Sequence, residues 1–275
     1  MKKTVPYIFG LKDKRVISMI TAYDYPTSKA ASVSEIDIIL VGDSLAQVVL
    51  GHDDTLSITV EEMLHHVKAV SNAKPDSLVV ADMPYMSYHI SIEETIRNAS
   101  RFIKEGKADA VKIEGGSKRE KVVKALINAE IPVMGHLGLL PQTAQKYTVQ
   151  GKTKDSALEL IEDAEIITKS GVFSIVLEMV SSQVAKIITE KISVPTIGIG
   201  SGKFCDGQVL VVHDMLGLFE KIKPKFAKRY LSLADEIRNA VKSYTIEVKE
   251  QKFPDIENEF QMEESEYNKL RKEIE

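Results

Sequence analysis

The sequence predicts an α/β protein, a single (β/α)8 TIM barrel, on three observations. Short apolar, β-branched runs recur along the chain, continuous rather than alternating, as buried parallel strands are. Helix-like stretches separate most of them, and alternation of the two kinds argues for a parallel sheet. The chain has 275 residues, with no Gly/Pro/Ser-rich linker and no break in composition before residue 250. Seven or eight such units in one uninterrupted stretch suit a barrel better than a doubly wound sheet.

In chain order the strand-like runs are Val16–Asp24, Ile36–Ser44, Leu78–Pro84, Ala110–Gly115, Ile131–Gly138, Phe173–Val180 and Val194–Gly202. Gln208–His213 reads either as an eighth strand or as part of a helix. Ser91–Glu105 is expected to be helical, with Ser91 and Glu94 spaced as a capping box. Lys118–Ala129 follows as a second helix. Lys154–Ser170 is a third, carrying Leu158, Ile161, Ala164 and Ile167 at helical spacing, with Gly171 as its C-terminal stop. Residues 1–254 are therefore expected to form one catalytic domain, and 255–275 an acidic tail.

Charge and composition narrow the function. Lys and Arg number 36 against 40 Asp and Glu, a net charge of −4. That gives no basic surplus for a nucleic acid. No apolar run reaches the length of a membrane span, and no apolar stretch follows Met1-Lys2-Lys3 as a signal peptide requires. A single cysteine, Cys205, excludes an internal disulfide. A soluble cytoplasmic protein is the expectation. From Glu250 onward nine acids face four bases, so the surplus negative charge sits in a polar tail, either a terminal helix packed on a neighbour or a frayed end.

A parallel barrel performs its chemistry at the C-terminal ends of its strands, so the residues that close each run carry the functional information. Ile38–Gly42 is followed by Asp43-Ser44, and Leu78–Ala81 by Asp82. Lys112 and Glu114 lie two apart, on one face of a strand. Pro132–Gly135 ends in His136, and Ile175–Leu177 in Glu178. Five consecutive strands thus bring Asp, Asp, Lys/Glu, His and Glu to one rim. An acid or serine after a strand commonly caps the next helix. Three carboxylates on adjacent strands, however, repel one another unless a cation lies between them. Asp43, Asp82 and Glu114 are hard oxygen ligands, suited to Mg²⁺ rather than zinc. Lys112 reads as an anchor for an anionic substrate, or else as an ion-pair partner of Glu114. Glu178, separate from the metal cluster, is placed to act as a general base. His136 is placed to donate to substrate or to support the metal ligands.

Other motifs carry less. Glu62 and His65 have the spacing of a di-metal carboxylate site but occur once, on a surface-like helix. Gly198–Lys203 lacks the Walker spacing and reads as a tight turn or an amide cradle for an anion.

Several strings resemble the ketopantoate hydroxymethyltransferase family: Ile20–Asp24, Leu40–Leu45, Gly51-His52-Asp53, Ala81–Tyr85, Val111–Gly116 and Gly135–Gly138. Leu177-Glu178, Gly198-Ile199-Gly200, Asp206-Gly207-Gln208, His213-Asp214 and Pro224-Lys225-Phe226 continue it. The likeness runs in order from about residue 4 to Pro254. It implies a barrel of the phosphoenolpyruvate mutase/isocitrate lyase type in a homo-oligomer, commonly a decamer. It implies transfer of a hydroxymethyl group from 5,10-methylenetetrahydrofolate to 3-methyl-2-oxobutanoate through a Mg²⁺-stabilised enolate, giving 2-dehydropantoate for pantothenate and coenzyme A. The family's metal site falls on Asp43, Asp82 and Glu114, its oxoacid contacts on Asp43, Ser44, Asp82 and Lys112, and its proton acceptor on Glu178. His136 is added to the substrate contacts. Three departures stand out: residues 141–152 are shorter than the usual loop, Ala46 replaces a glycine, and the acidic stretch beyond Pro254 exceeds the usual ending.

Overall fold

The computed structural model describes every residue except Gln145. A short helix α1 (Val5–Phe9) precedes β1 (Ile17–Thr21), α2 (Tyr25–Val33), β2 (Ile38–Val41), α3 (Leu45–Val48), α4 (Val60–Asn72) and β3 (Leu78–Asp82). Then come α5 (Ile92–Lys104), β4 (Ala110–Glu114), α6 (Glu120–Asn128), β5 (Val133–Gly138), α7 (Lys154–Lys169), β6 (Ser174–Glu178) and α8 (Ser182–Lys191). The chain closes with β7 (Thr196–Ile199), β8 (Gly207–Leu210), α9 (Val212–Leu216), α10 (Leu233–Lys249) and α11 (Glu264–Ile274). All eight strands pair in parallel and β8 returns to β1, closing the barrel. The expected fold class is the observed one. Observed strands are shorter than the apolar runs, because the runs also take in residues of the loops before or after them. Gln208–His213 is divided: the strand ends at Leu210 and a helix begins at Val212.

Two buried clusters follow from the period of two along each strand. Ile17, Met19, Ile38, Leu40, Leu78, Val80, Ala110, Met134, Val176, Ile197 and Val209 fill the barrel interior, and Ile8 of α1 packs with them. The alternate residues, among them Ile39, Val79, Val111, Val133, Ile175 and Leu177, lie in the outer cluster with Leu64, Phe102, Leu126, Ile167 and Ile188 of the helices. Both faces of most strands are therefore apolar, which is why those runs are continuous, whereas β8 carries the exposed Gln208 on its outer face.

Capping is partly as expected. Ser91 accepts from Glu94 N at the start of α5, but no reciprocal bond from the Glu94 side chain completes the box. Full capping boxes occur instead at Thr59–Glu62 and Thr153–Ser156. Gly171 follows α7 with φ +103, as its place after the last turn requires. No helix among the described residues is long and apolar enough to cross a membrane. Helices α10 and α11 bury none of their residues in this chain.

Candidate active site

Strand parity places the polar residues. Asp82 lies two beyond Val80, Lys112 two beyond Ala110, His136 two beyond Met134, and Glu178 two beyond Val176, so all four continue rows that point into the barrel. Register then sets them side by side: Asp82 pairs with Lys112 across β3 and β4, and Glu114 with His136 across β4 and β5. Asp43 and Ser44 follow the end of β2, next to β3. At the end of β5, Gly138 has φ +95, and a Cβ there would meet Glu178 O at 2.2 Å. Only glycine permits this close approach, which is sealed by Leu139 N donating to Glu178 O at 2.8 Å.

All seven predicted site residues line one cavity of about 350 Å³ at the C-terminal mouth. Asp82, Lys112, Glu114 and His136 are at most 4% exposed. None of the site acids serves as a helix cap: α5 and α7 are capped by Ser91 and Thr153, and Asp24 performs that role for α2. Capping therefore does not account for Asp43, Asp82, Glu114 or Glu178.

Lys112 Nζ lies 2.7 Å from Asp82 Oδ1, so its ion-pair partner is Asp82 and not Glu114. The angle falls short of a hydrogen bond, which leaves Oδ1 a buried oxygen without a donor. Asp82 Oδ2 accepts from Asp43 N at 3.3 Å. Burial, then the charges of Asp82 and Glu114, holds the Asp43 carboxyl well above its ordinary range. Burial also raises Asp82, against the pull of Lys112. Lys112 loses stability as a cation by burial but regains more from Asp82, Glu114 and Asp43, and its ammonium is held above the usual lysine value.

His136 bridges the metal-ligand candidates and the base. Its Nδ1 is 3.4 Å from Glu114 Oε1 and its Nε2 is 3.3 Å from Glu178 Oε2. Both are charge contacts rather than aligned hydrogen bonds. Lys112 Nζ also stands 3.4 Å from Nδ1, but one nitrogen cannot accept from Lys112 and donate to Glu114 at once. Burial and Lys112 press the imidazole down, while Glu114 and Glu178 outweigh them and carry it up to about 9. The protonated ring facing two carboxylates is the favoured state.

Three buried carboxylates with one lysine among them form a hard, oxygen-rich donor set with uncompensated charge, which fits a divalent cation. The donorless Asp82 Oδ1 and the raised Asp43 mark where such an ion would relieve repulsion. As the side chains stand, no three His, Cys, Asp or Glu among the described residues are gathered closely enough to hold an ion. Lys112 Nζ, 2.7 Å from Asp82 Oδ1 as a charge contact, supplies the nearby positive charge instead.

Several lining residues escaped notice in the sequence. Tyr23 OH hydrogen-bonds Ser44 Oγ at 2.9 Å, and Gln142 reaches Asp43 from the loop after β5. Phe219, Ile222, Pro224 and Phe226 form an apolar outer wall. Tyr23 was visible only within the string Ile20–Asp24, and Gln142 only within the 141–152 segment. Glu62 closes the cap of α4 and is exposed with His65, which removes them as a metal pair. Gly198 and Ile199 end β7 and the chain turns from Gly200: Ser201 Oγ donates to Leu177 O at 2.7 Å and accepts from Val180 N at 3.0 Å, tying the ends of β6 and β7.

The 3-methyl-2-oxobutanoate hydroxymethyltransferase of Syntrophobacter fumaroxidans is 54% identical over 97% of this chain and 96% of its own. That of Nitrosopumilus maritimus is 50% identical over 100% of this chain and 99% of its own. That alignment takes in the acidic stretch beyond Pro254, whereas the match to the family model ends at residue 256. Among solved structures, 2,3-dimethylmalate lyase, a PEP mutase/isocitrate lyase superfamily member, superposes with TM-score 0.60 over 95% of this chain and 89% of its own. Its 12% identity makes this a likeness of fold alone. Residues 2–256 match the family described as ketopantoate hydroxymethyltransferase, and with half the positions shared by full-length relatives the chain belongs to that family.

Proposed function

We propose that this enzyme transfers a hydroxymethyl group from 5,10-methylenetetrahydrofolate to 3-methyl-2-oxobutanoate. The product is 2-dehydropantoate, made in the cytoplasm for pantothenate and coenzyme A. The observation that carries the reading is the inward cluster of Asp43, Asp82, Lys112 and Glu114 beside Glu178, in a chain of this family. Residues 1–254 carry the chemistry and 255–275 none.

Asp43, Asp82 and Glu114 would hold Mg²⁺, which when bound polarises the keto oxygen of the oxoacid and acidifies its C3–H. Lys112 and Ser44 hold the substrate carboxylate, Ser44 oriented by Tyr23. Asp43 and Asp82 face the oxoacid as well as the cation, and His136 adds a donor between them and the base. Glu178 takes the proton from C3. The resulting carbanion attacks the one-carbon unit as its bond to one folate nitrogen breaks. Water then displaces the second nitrogen and supplies the hydroxyl oxygen. The proton taken by Glu178 and the one released by water pass to the two nitrogens as tetrahydrofolate leaves. The apolar wall of Phe219, Ile222, Pro224 and Phe226 suits the flat ring of a folate.

A homo-oligomer, a decamer on the family resemblance, is supported by α10. Ile237, Val241, Tyr244 and Val248 lie at helical spacing on it, and all four are exposed in the single chain. The direct test supplies oxoacid, methylenetetrahydrofolate and Mg²⁺ and looks for 2-dehydropantoate. Soluble, metal-loaded protein that yields none would overturn the proposal. Exchange of the C3 proton without transfer would point to a different electrophile.

A further inference from the structure

Gln142 belongs to the loop after β5, yet its side chain is held by groups just past the ends of β2 and β3, and its backbone N by Glu114 at the end of β4. It is 1% exposed. Its Nε2 donates to Asp43 Oδ2 at 2.9 Å and to Met83 O at 3.0 Å. Its Oε1 accepts from Tyr88 OH at 2.6 Å. Its backbone N donates to Glu114 Oε2 at 3.2 Å. Tyr88, also buried, accepts in turn from Glu114 N at 3.2 Å.

The amide can sit only one way round. Rotating it would turn Oε1 toward a carboxylate and a carbonyl, two acceptors with no hydrogen between them, and would leave the Tyr88 hydroxyl facing a donor. Among the described residues Gln142 is the one side chain that hydrogen-bonds to the Asp43 carboxylate. It occupies Oδ2 and leaves Oδ1 without a donor from a protein side chain. A glutamine that served only to pin its loop would need none of these particular partners. Every group it touches is a candidate cation ligand, the backbone next to one, or the tyrosine beside a third.

We infer that Gln142 is a positioning residue for the cation. With its amide locked by Tyr88, it fixes the separation and orientation of the Asp43 and Glu114 carboxylates across the mouth of the barrel. The inference rests on the divalent-cation reading of the site. It assigns to the loop after β5 a share in cation affinity that no ligand residue itself carries. Partners that orient a metal's ligands are generally worth about 10–100-fold in affinity.

The test measures Mn²⁺ alone binding to the full-length protein, by the electron paramagnetic resonance signal of the free ion, beside the melting temperature without metal. Gln142→Leu, close in volume and without the amide, is expected to weaken Mn²⁺ by about 10–100-fold. Tyr88→Phe removes one hydroxyl, and is expected to weaken it by about 2–10-fold, the worth of one neutral hydrogen bond. A purely structural role lowers the melting temperature and leaves Mn²⁺ affinity of the folded protein unchanged. That result in Gln142→Leu overturns the inference. Should Gln142→Leu fail to fold, Tyr88→Phe with wild-type affinity overturns it equally. Wild-type protein that binds no Mn²⁺ refutes the cation reading itself, a result distinguishable from loss of the positioning role alone.

Discussion

Glu178→Gln separates proton abstraction from every other part of the proposed reaction. The substitution keeps length and shape, and the amide oxygen can still face the His136 ring that stands 3.3 Å from Glu178 Oε2. What it removes is an oxygen able to take a proton. A placed general base contributes about 10²–10⁴-fold. The Glu178 side chain is 19% exposed, so water reaches the position and serves as a weak substitute. The loss is therefore expected in the lower part of that range, about 10²–10³-fold, or roughly 2.7–4.1 kcal/mol of barrier. The assay is loss of the C3–H proton signal of 3-methyl-2-oxobutanoate in D₂O with Mg²⁺ and no folate. KM should change little, because Lys112 and Ser44 hold the carboxylate. Exchange within about threefold of wild type, far below what a positioned base supplies, would remove Glu178 from the role.

Three other perturbations follow from named contacts. Lys112→Met leaves Asp43, Asp82 and Glu114 buried without their ammonium. It should cost about 3–5 kcal/mol in metal-free denaturation and raise KM for the oxoacid by about 10–150-fold, the worth of one charge-assisted hydrogen bond. Asp37, fully buried at the base of the barrel, pairs with Lys3 at 3.0 Å and with Arg15, and accepts from Ser18 N at 2.9 Å. Asp37→Asn should lower stability by about 3–5 kcal/mol in urea with kcat unaltered. His89 Nδ1 is buried without a partner, and burial, with Arg119, lowers the ring to about 4. The unfolded chain binds this proton below pH about 6.5 while the native state resists until about 4, so stability falls as pH drops through that window. In His89→Phe that part of the acid loss should be absent from a series of melting temperatures.

Much of the site was legible before any coordinates, for a physical reason. A strand buried on both faces tolerates polar residues only where its register reaches the open end, so Asp82, Lys112, Glu114, His136 and Glu178 each stood out against an apolar run. Asp43 and Ser44 stood out similarly, just past the last residue of β2. Which charges meet was not legible. Lys112 and Glu114 share a face of one strand, and an ion pair between them was a fair expectation. The register of β3 against β4 instead puts Asp82 directly opposite Lys112. Register depends on strand tilt and shear around the whole barrel, which no local string encodes.

Gln142 and the outer wall were hidden for a different reason. A glutamine in a polar loop looks like any solvated side chain, and nothing in Pro141–Lys152 marks it as 1% exposed. Its partners come from the segments just after β2 and β3 and from the end of β4, at separations of 28 to 99 residues. Phe219, Ile222 and Phe226 likewise belong to no strand or helix of the barrel, and become a wall only because the chain after α9 folds back over the mouth. The amino-acid order settled the barrel, the end of it that carries chemistry, and the residues that supply charge, because burial permits so few polar positions along a strand. Closure of the barrel decided the pairings, the bridge through His136 and the place of Gln142, because those depend on distances between segments that meet only when β8 returns to β1.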